Sequence, residues 1–110
     1  MQQPTFFILT ALAGEPLHGY GIIHAVEGLS GGRLTLRAGT LYAALDRLTE
    51  DGLLVVDREE AIEGRLRRYY RLTDDGTRAL QAEVDLMRAN ANVAAARLRR
   101  AGAARTAFLT

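Results

Sequence analysis

Few residues in this chain are equipped to make or break bonds. There is no cysteine, which excludes disulfides, thiolate metal sites and a cysteine nucleophile. The two imidazoles, His18 and His24, stand six residues apart with no carboxylate pattern beside them, a poor basis for a metal site. Ser30 lacks the Gly-x-Ser-x-Gly setting of a nucleophilic serine, and no pair of acids has a convincing partner. No enzymatic activity, metal or cofactor is therefore expected. What the chain does carry is a cluster suited to anions. Arg65, Arg67, Arg68 and Arg71 fall within residues 64–72, with Tyr69 and Tyr70 among them and no acid in that span. The guanidinium fork matches phosphate geometry. All 14 basic residues are Arg, but the bias covers the whole chain and reads as genome composition.

The elements that must position this cluster are legible on its N-terminal side. Leu41, Leu45 and Leu48 recur at i, i+4 and i+7, which predicts a helix over 38–51 with one narrow buried stripe. Thr40, Tyr42, Ala43, Asp46, Arg47 and Glu50 lie elsewhere on the wheel. Gly52 is a natural stop, because glycine turns cheaply into the left-handed region. Two β-rich runs follow, Leu53–Val56 and Arg67–Leu72, joined by a polar loop ending in Glu63-Gly64. Alternation puts Arg65, Arg67 and Tyr69 on one face of the second run, and Arg68, Tyr70 and Leu72 on the other. A small-faced helix beside a basic ribbon is the layout of a winged helix-turn-helix, in which the helix enters a DNA groove and the ribbon holds the backbone. The expected class is α+β, mostly helical.

The 110 residues allow one domain with an appended element. Hydrophobic content of 48% and charged content of 25% are ordinary for a globular chain. No run approaches a membrane span, and the N-terminus lacks the basic region of a secretory signal, so the expected compartment is the cytoplasm. A net charge of +1 argues weakly against nucleic acid, but its distribution is uneven. Residues 86–110 carry five Arg and no acid. A first helix is predicted over 4–13 with Phe6, Phe7, Ile8, Leu9 and Leu12 apolar, and a second from His18 or Gly19 to Leu29. Ser30-Gly31-Gly32 breaks the second, so helices two and three form the helix-turn-helix pair. Thr73 caps a fourth helix expected to end near Arg100, with 101–110 a flexible tail. The domain is thus expected over 1–72 and the long helix over 73–100. Along that helix Leu80, Val84, Met87, Ala91, Ala94 and Leu98 step by 4, 3, 4, 3 and 4, the pattern of a coiled-coil seam. A second stripe, Ala82, Leu86, Ala89, Val93 and Ala96, repeats the same steps, and either could face a partner subunit.

Several segments in order resemble the PadR family of bacterial transcriptional regulators, in its short form. They are Leu17-His18-Gly19-Tyr20-Gly21-Ile22, the run Gly39 to Leu48 followed by Gly52-Leu53-Leu54, and the run Gly64 to Thr73 followed by Gly76 and Leu80. Together they span residues 17–80. The resemblance implies a homodimeric winged-helix repressor on an inverted-repeat operator in double-stranded DNA, with the fourth helix mediating dimerisation, helped by the first through Phe6 and Phe7. It also implies that Thr40 and Tyr42 touch the DNA backbone, that His18 and Tyr20 lie near phosphate, and that Arg65, Arg67 and Arg68 act from the wing. The chain departs from the family pattern at Arg37-Ala38, where Ser-Pro is common, and at Ala43, where Pro is common. The fourth helix has no Trp, which puts in doubt the flat-drug pocket of one subgroup.

Arg37 and Arg47 divide between DNA contact and surface ion pairs with Glu50 or Asp51. A small-molecule effector of unknown identity would act through the helix-four interface, and a dimer pore lined by Phe6, Phe7, Leu9, Met87 and Ala91 would be one place for it. The rival reading is a dimeric winged-helix adaptor for proteins, without an operator, which the low net charge favours slightly.

Overall fold

The computed structural model describes the backbone of residues 1–109 and the side chains of 1–106. Its elements run α1 (Gln3–Gly14), β1 (Leu17–His18), α2 (Gly19–Leu29), α3 (Ala38–Glu50), β2 (Leu54–Ile62), β3 (Arg65–Leu72) and α4 (Asp74–Leu109). Three short helices pack on a small antiparallel sheet in the order β1-β3-β2. Met1–Leu80 forms one compact unit, and the rest of α4, from Gln81 on, forms a second. The compact unit therefore extends past Leu72, the boundary read from the sequence, because the first turns of α4 belong to it. No helix among the described residues is long and apolar enough to cross a membrane.

The core is built where the periodicity placed it. Ile8, Leu9 and Leu12 of α1, Ile22 and Val26 of α2, and Leu41, Ala44, Leu45 and Leu48 of α3 are buried together with Leu36, Leu54 and Tyr70. Leu9 is fully buried here and cannot line a pore. The turn between α2 and α3 uses Gly31 and Gly32 at positive φ. Buried Ser30 holds that turn, accepting the Leu34 N–H at 3.0 Å and donating to the Glu27 carbonyl at 3.1 Å. Arg33–Leu36 has no regular structure and serves as an extended lead-in.

Helix α3 ends as its glycine requires. Gly52 sits at φ +79°, its N–H bonds to the Thr49 carbonyl, and the Leu53 N–H reaches back to the Leu48 carbonyl, both at 3.0 Å. The same junction starts α4. The Thr73 hydroxyl donates to the Gly52 carbonyl at 2.6 Å and accepts the Gly76 N–H at 3.0 Å, so one side chain caps α4 and ties it to the end of α3.

The hairpin is longer than its sequence suggests. β2 continues through the charged run Asp57–Glu60 to Ile62, which the sequence reads as loop, and pairs Ile62 with Arg65. Only Glu63 and Gly64 turn, both at positive φ (51° and 76°), the backbone of a two-residue hairpin turn. A bulge at Asp57 interrupts the register between Val56↔Tyr70 and Arg58↔Tyr69. Charged side chains suit β2 because it is a sheet edge, where charge discourages pairing with another chain. Towards the C-terminus of the chain α4 remains helical to Leu109, where a flexible tail was expected from residue 101. The reason is composition, since Ala101–Arg105 is rich in strong helix formers. Thr110 lies outside the described residues.

Candidate nucleic-acid interface

The start of α2, the outer face of α3 and the tip of the wing border an open trough of about 1020 Å³. His18, Gly19 and Tyr20 line it from the first, Tyr42 and Asp46 from the second, and Arg65, Leu66, Arg67 and Arg68 from the third. Six of the residues singled out from the sequence thus converge: His18, Tyr20, Tyr42, Arg65, Arg67 and Arg68. Arg37 and Thr40 are exposed at the start of α3 but do not line the trough. Arg47 is exposed and does not line the trough either. Its guanidinium donates to the Thr5 hydroxyl of α1 at 3.1 Å, rather than pairing with Glu50 or Asp51.

Each wall is positioned by packing. Burial of Leu41, Ala44, Leu45 and Leu48 fixes the rotation of α3 and turns Tyr42 and Asp46 outward. Tyr42 is 48% exposed, and its phenol lies over Gly19, where an added Cβ would collide with the hydroxyl. The buried Gly19 therefore allows α3 and the start of α2 to meet, a role that the sequence did not reveal. β1 joins the start of α2 to the wing through the pairs Leu17↔Tyr70 and His18↔Tyr69. Tyr70 is buried in the core, while Tyr69, on the opposite strand face, stacks edge-on against His18 at 5.3 Å. The Arg58 guanidinium sits 3.8 Å above the Tyr69 ring.

His18 is the N-cap of α2. Its Nδ1 accepts the Gly21 N–H at 3.3 Å, so the neutral ring carries its proton on Nε2. Partial burial, and secondly the Arg67 guanidinium, push its pKa below the ordinary value, against a smaller opposing pull from Glu60. A neutral ring with one free N–H can still donate to an anion in the trough.

The wing is less basic than residues 64–72 alone imply, because β2 supplies acids. Arg68 pairs with Glu59 at 3.0 Å, Arg71 with Asp57 at 3.3 Å, and Arg58 with Glu60 at 2.9 Å and Asp57 at 3.3 Å. The Arg58 hydrogen bond holds the Glu60 carboxyl below the usual carboxylate range. Arg65 and Arg67 make no ion pair among the described residues. The cross-strand partners could not be read from the sequence, since they depend on the register and the bulge.

The residues expected at a dimer contact divide along the chain. Phe7 and Leu80 pack partly buried against the domain core, and Phe6 stacks edge-on against Phe7 at 5.4 Å. Leu80 thus serves its own unit, whereas the seam reading began at it. Val84 is half-buried, and Met87, Ala91, Ala94 and Leu98 are exposed.

The chain is 34% identical over 74 residues to Transcriptional regulator YqjI of Escherichia coli K12, which covers 67% of this chain and 34% of that protein. It therefore spans about a third of that relative's length. Among solved structures it is similar to a PadR family transcription regulator from Clostridium difficile R20291, with a TM-score of 0.69 and 26% identity, covering 84% of this chain and 94% of that one. Its fold is also that of Bacillus subtilis PadR, solved in complex with operator DNA, with a TM-score of 0.68 and 24% identity, covering 76% of this chain and 48% of that one. Residues 8–82 match the model of the Transcriptional regulator PadR-like family, a span from α1 into α4 that takes in every wall of the trough, and the chain belongs to that family.

Proposed function

We propose that this protein is a homodimeric transcriptional repressor that binds an inverted-repeat operator in duplex DNA. The observation that carries the reading is the trough. Groups that hydrogen-bond or pair with phosphate (His18, Tyr20, Tyr42, Arg65 and Arg67) line one concavity between a helix sized for the major groove and a protruding hairpin. In duplex DNA a sugar-phosphate ridge separates the two grooves. With α3 in the major groove and the wing over the neighbouring minor groove, that ridge would run against the start of α2 and the wing arginines, and the outer turn of α3 that carries Asp46 would face the groove floor. Likeness in fold to Bacillus subtilis PadR, solved with operator DNA, supports the same mode.

Two copies joined through α4 would address half-sites about one helical turn apart. The exposure of Met87 (48%), Leu86 (53%), Val93 (65%) and Leu98 (73%) supports a partner for this helix, because apolar groups at coiled-coil spacing are otherwise left in water. A small-molecule effector acting at that interface would change the distance between the two α3 helices and release the operator.

Binding of the purified protein to its own promoter fragment, titrated across salt against a scrambled fragment, tests the reading. Tight binding to the promoter alone, with a slope of several released ions, supports it. Equal weak binding to both fragments, or a stable dimer that binds neither, would transfer the function to a protein-interaction adaptor.

A further inference from the structure

We infer that Asp46 reads a base, and that the base is cytosine. The inference rests on the operator-binding reading and deepens it. Tyr42 and Asp46 are the two α3 side chains in the trough. The Tyr42 phenol lies over Gly19 at the start of α2. Other polar groups of α3 are engaged elsewhere or lie outside the trough. Arg47 donates to Thr5, the Thr49 hydroxyl donates to the Leu45 carbonyl at 2.7 Å, and Thr40 and Glu50 line no part of it. Ala38, Gly39 and Ala43 have no polar side-chain atom. The carboxylate of Asp46 is exposed and makes no hydrogen bond or ion pair among the described residues. Beside the Tyr42 phenol, it is thus the free charged group that α3 brings to this trough.

The chemistry narrows its partner. An ionised carboxylate only accepts hydrogen bonds, and phosphate oxygens offer it none. Against the backbone it is repelled. On the groove floor its targets are amino groups, cytosine N4 and adenine N6. Adenine sets its acceptor N7 beside N6, which a second carboxylate oxygen meets unfavourably. Cytosine N4 is the base donor that acidic side chains take, whereas guanine and thymine present acceptors in its place. Asp46 therefore selects cytosine at one position of each half-site and disfavours guanine and thymine there. It contributes discrimination rather than affinity, in keeping with a wing that has already neutralised much of its own charge.

The test is enrichment of binding sites from a randomised duplex library by the full-length protein, by Asp46→Asn and by Asp46→Ala, with equal thermal stability of the three as a control. The wild type should enrich cytosine at one position per half-site, by roughly 10- to 100-fold over the disfavoured bases. Asp46→Asn should move that position to adenine, whose N6 and N7 suit an amide. Asp46→Ala should lose the preference there and keep the others. Identical preferences in all three proteins would overturn the inference while leaving operator binding standing. So would uniformly tighter binding of both variants with no change of base, which would make Asp46 a charge brake. A wild type that enriches no sequence would remove the operator-binding reading and this inference with it.

Discussion

Helix α3 and the β2–β3 wing face each other across one trough, yet they carry charge in opposite ways. The outer face of α3 has few charged groups, and Asp46, the one it contributes to the trough, is unpaired. The wing is dense in charge, but Arg58, Arg68 and Arg71 are answered by Asp57, Glu59 and Glu60 on the facing strand. Arg65 and Arg67, next to the hairpin turn, remain for a ligand. The number of arginines in a segment is therefore a poor measure of what it offers to phosphate. Availability is set by which acids are already held: Arg67 stands opposite Glu60 in the register, but Glu60 is taken by Arg58 of its own strand, and Arg71 reaches Asp57 at the bulge. The two walls also differ in support. α3 is anchored by four buried side chains, whereas the wing tip is held by backbone pairing and carries Leu66 at 62% exposure.

The largest effect should come from removing that anchorage. Leu45→Ala is expected to lose about 3 kcal/mol and to lower the melting temperature by roughly 15 °C, with DNA binding lost in parallel. Leu66→Ala on the wing should change stability by less than about 0.5 kcal/mol. Comparable losses in thermal melts of the two variants would break the contrast in support. Next comes Gly19→Ala, which drives a methyl into the Tyr42 phenol and is expected to cost about 1–2 kcal/mol. Gly19→Ala with Tyr42→Phe should recover part of the loss, because the double variant deletes the colliding hydroxyl.

Smaller effects separate the arginines. Arg65→Ala and Arg67→Ala should each reduce the salt slope of DNA binding by about one, and Arg68→Ala by clearly less, because Glu59 already answers it. Glu59→Gln should then bring Arg68 up to the level of its neighbours and tighten binding, while leaving thermal stability nearly unchanged, because the pair is exposed. Equal slopes for Arg65→Ala and Arg68→Ala would show that the wing pairs open freely on DNA. The smallest effect concerns His18. Its folded pKa lies below the ordinary value of 6.5, so on acidification the unfolded chain takes up the proton first. Stability should be complete above pH 6.5, fall as the pH drops below that value, and level off below the folded pKa. His18→Asn keeps a capping side chain that does not titrate, and melts between pH 7.5 and 5 should show a flatter profile.

Much of this was legible because it depends on local rules. The Leu41, Leu45 and Leu48 stripe, the Gly52 stop and the Thr73 cap each need only a few neighbouring residues. The convergence of His18, Tyr20 and Tyr42 with the wing was legible through the family resemblance rather than through any periodicity. What stayed hidden depends on distant partners. Asp57–Glu60 reads as loop until β3 lies beside it, since charged residues form a strand here only as the edge of a sheet. Arg47 looks available until Thr5, 42 residues away, arrives at its guanidinium. Leu80 fits a coiled-coil seam by spacing alone, but the core of its own unit claims it first.

The tight turn at Glu63-Gly64 imposes a rule of parity on the wing. Because alternate residues of a strand face opposite sides, a single residue inserted in β3 between Arg67 and Tyr69 would move Arg65 and Arg67 off the strand face they share with Tyr69, unless a new bulge absorbed it. The bulge at Asp57 already accommodates one unmatched residue in β2. Lengthening both strands by one residue each keeps every pair intact but exchanges the faces at the tip, and lengthening both by two restores them. A wing that keeps the same side chains on the same faces at its tip is therefore extended in steps of two residue pairs, roughly 7 Å at a time.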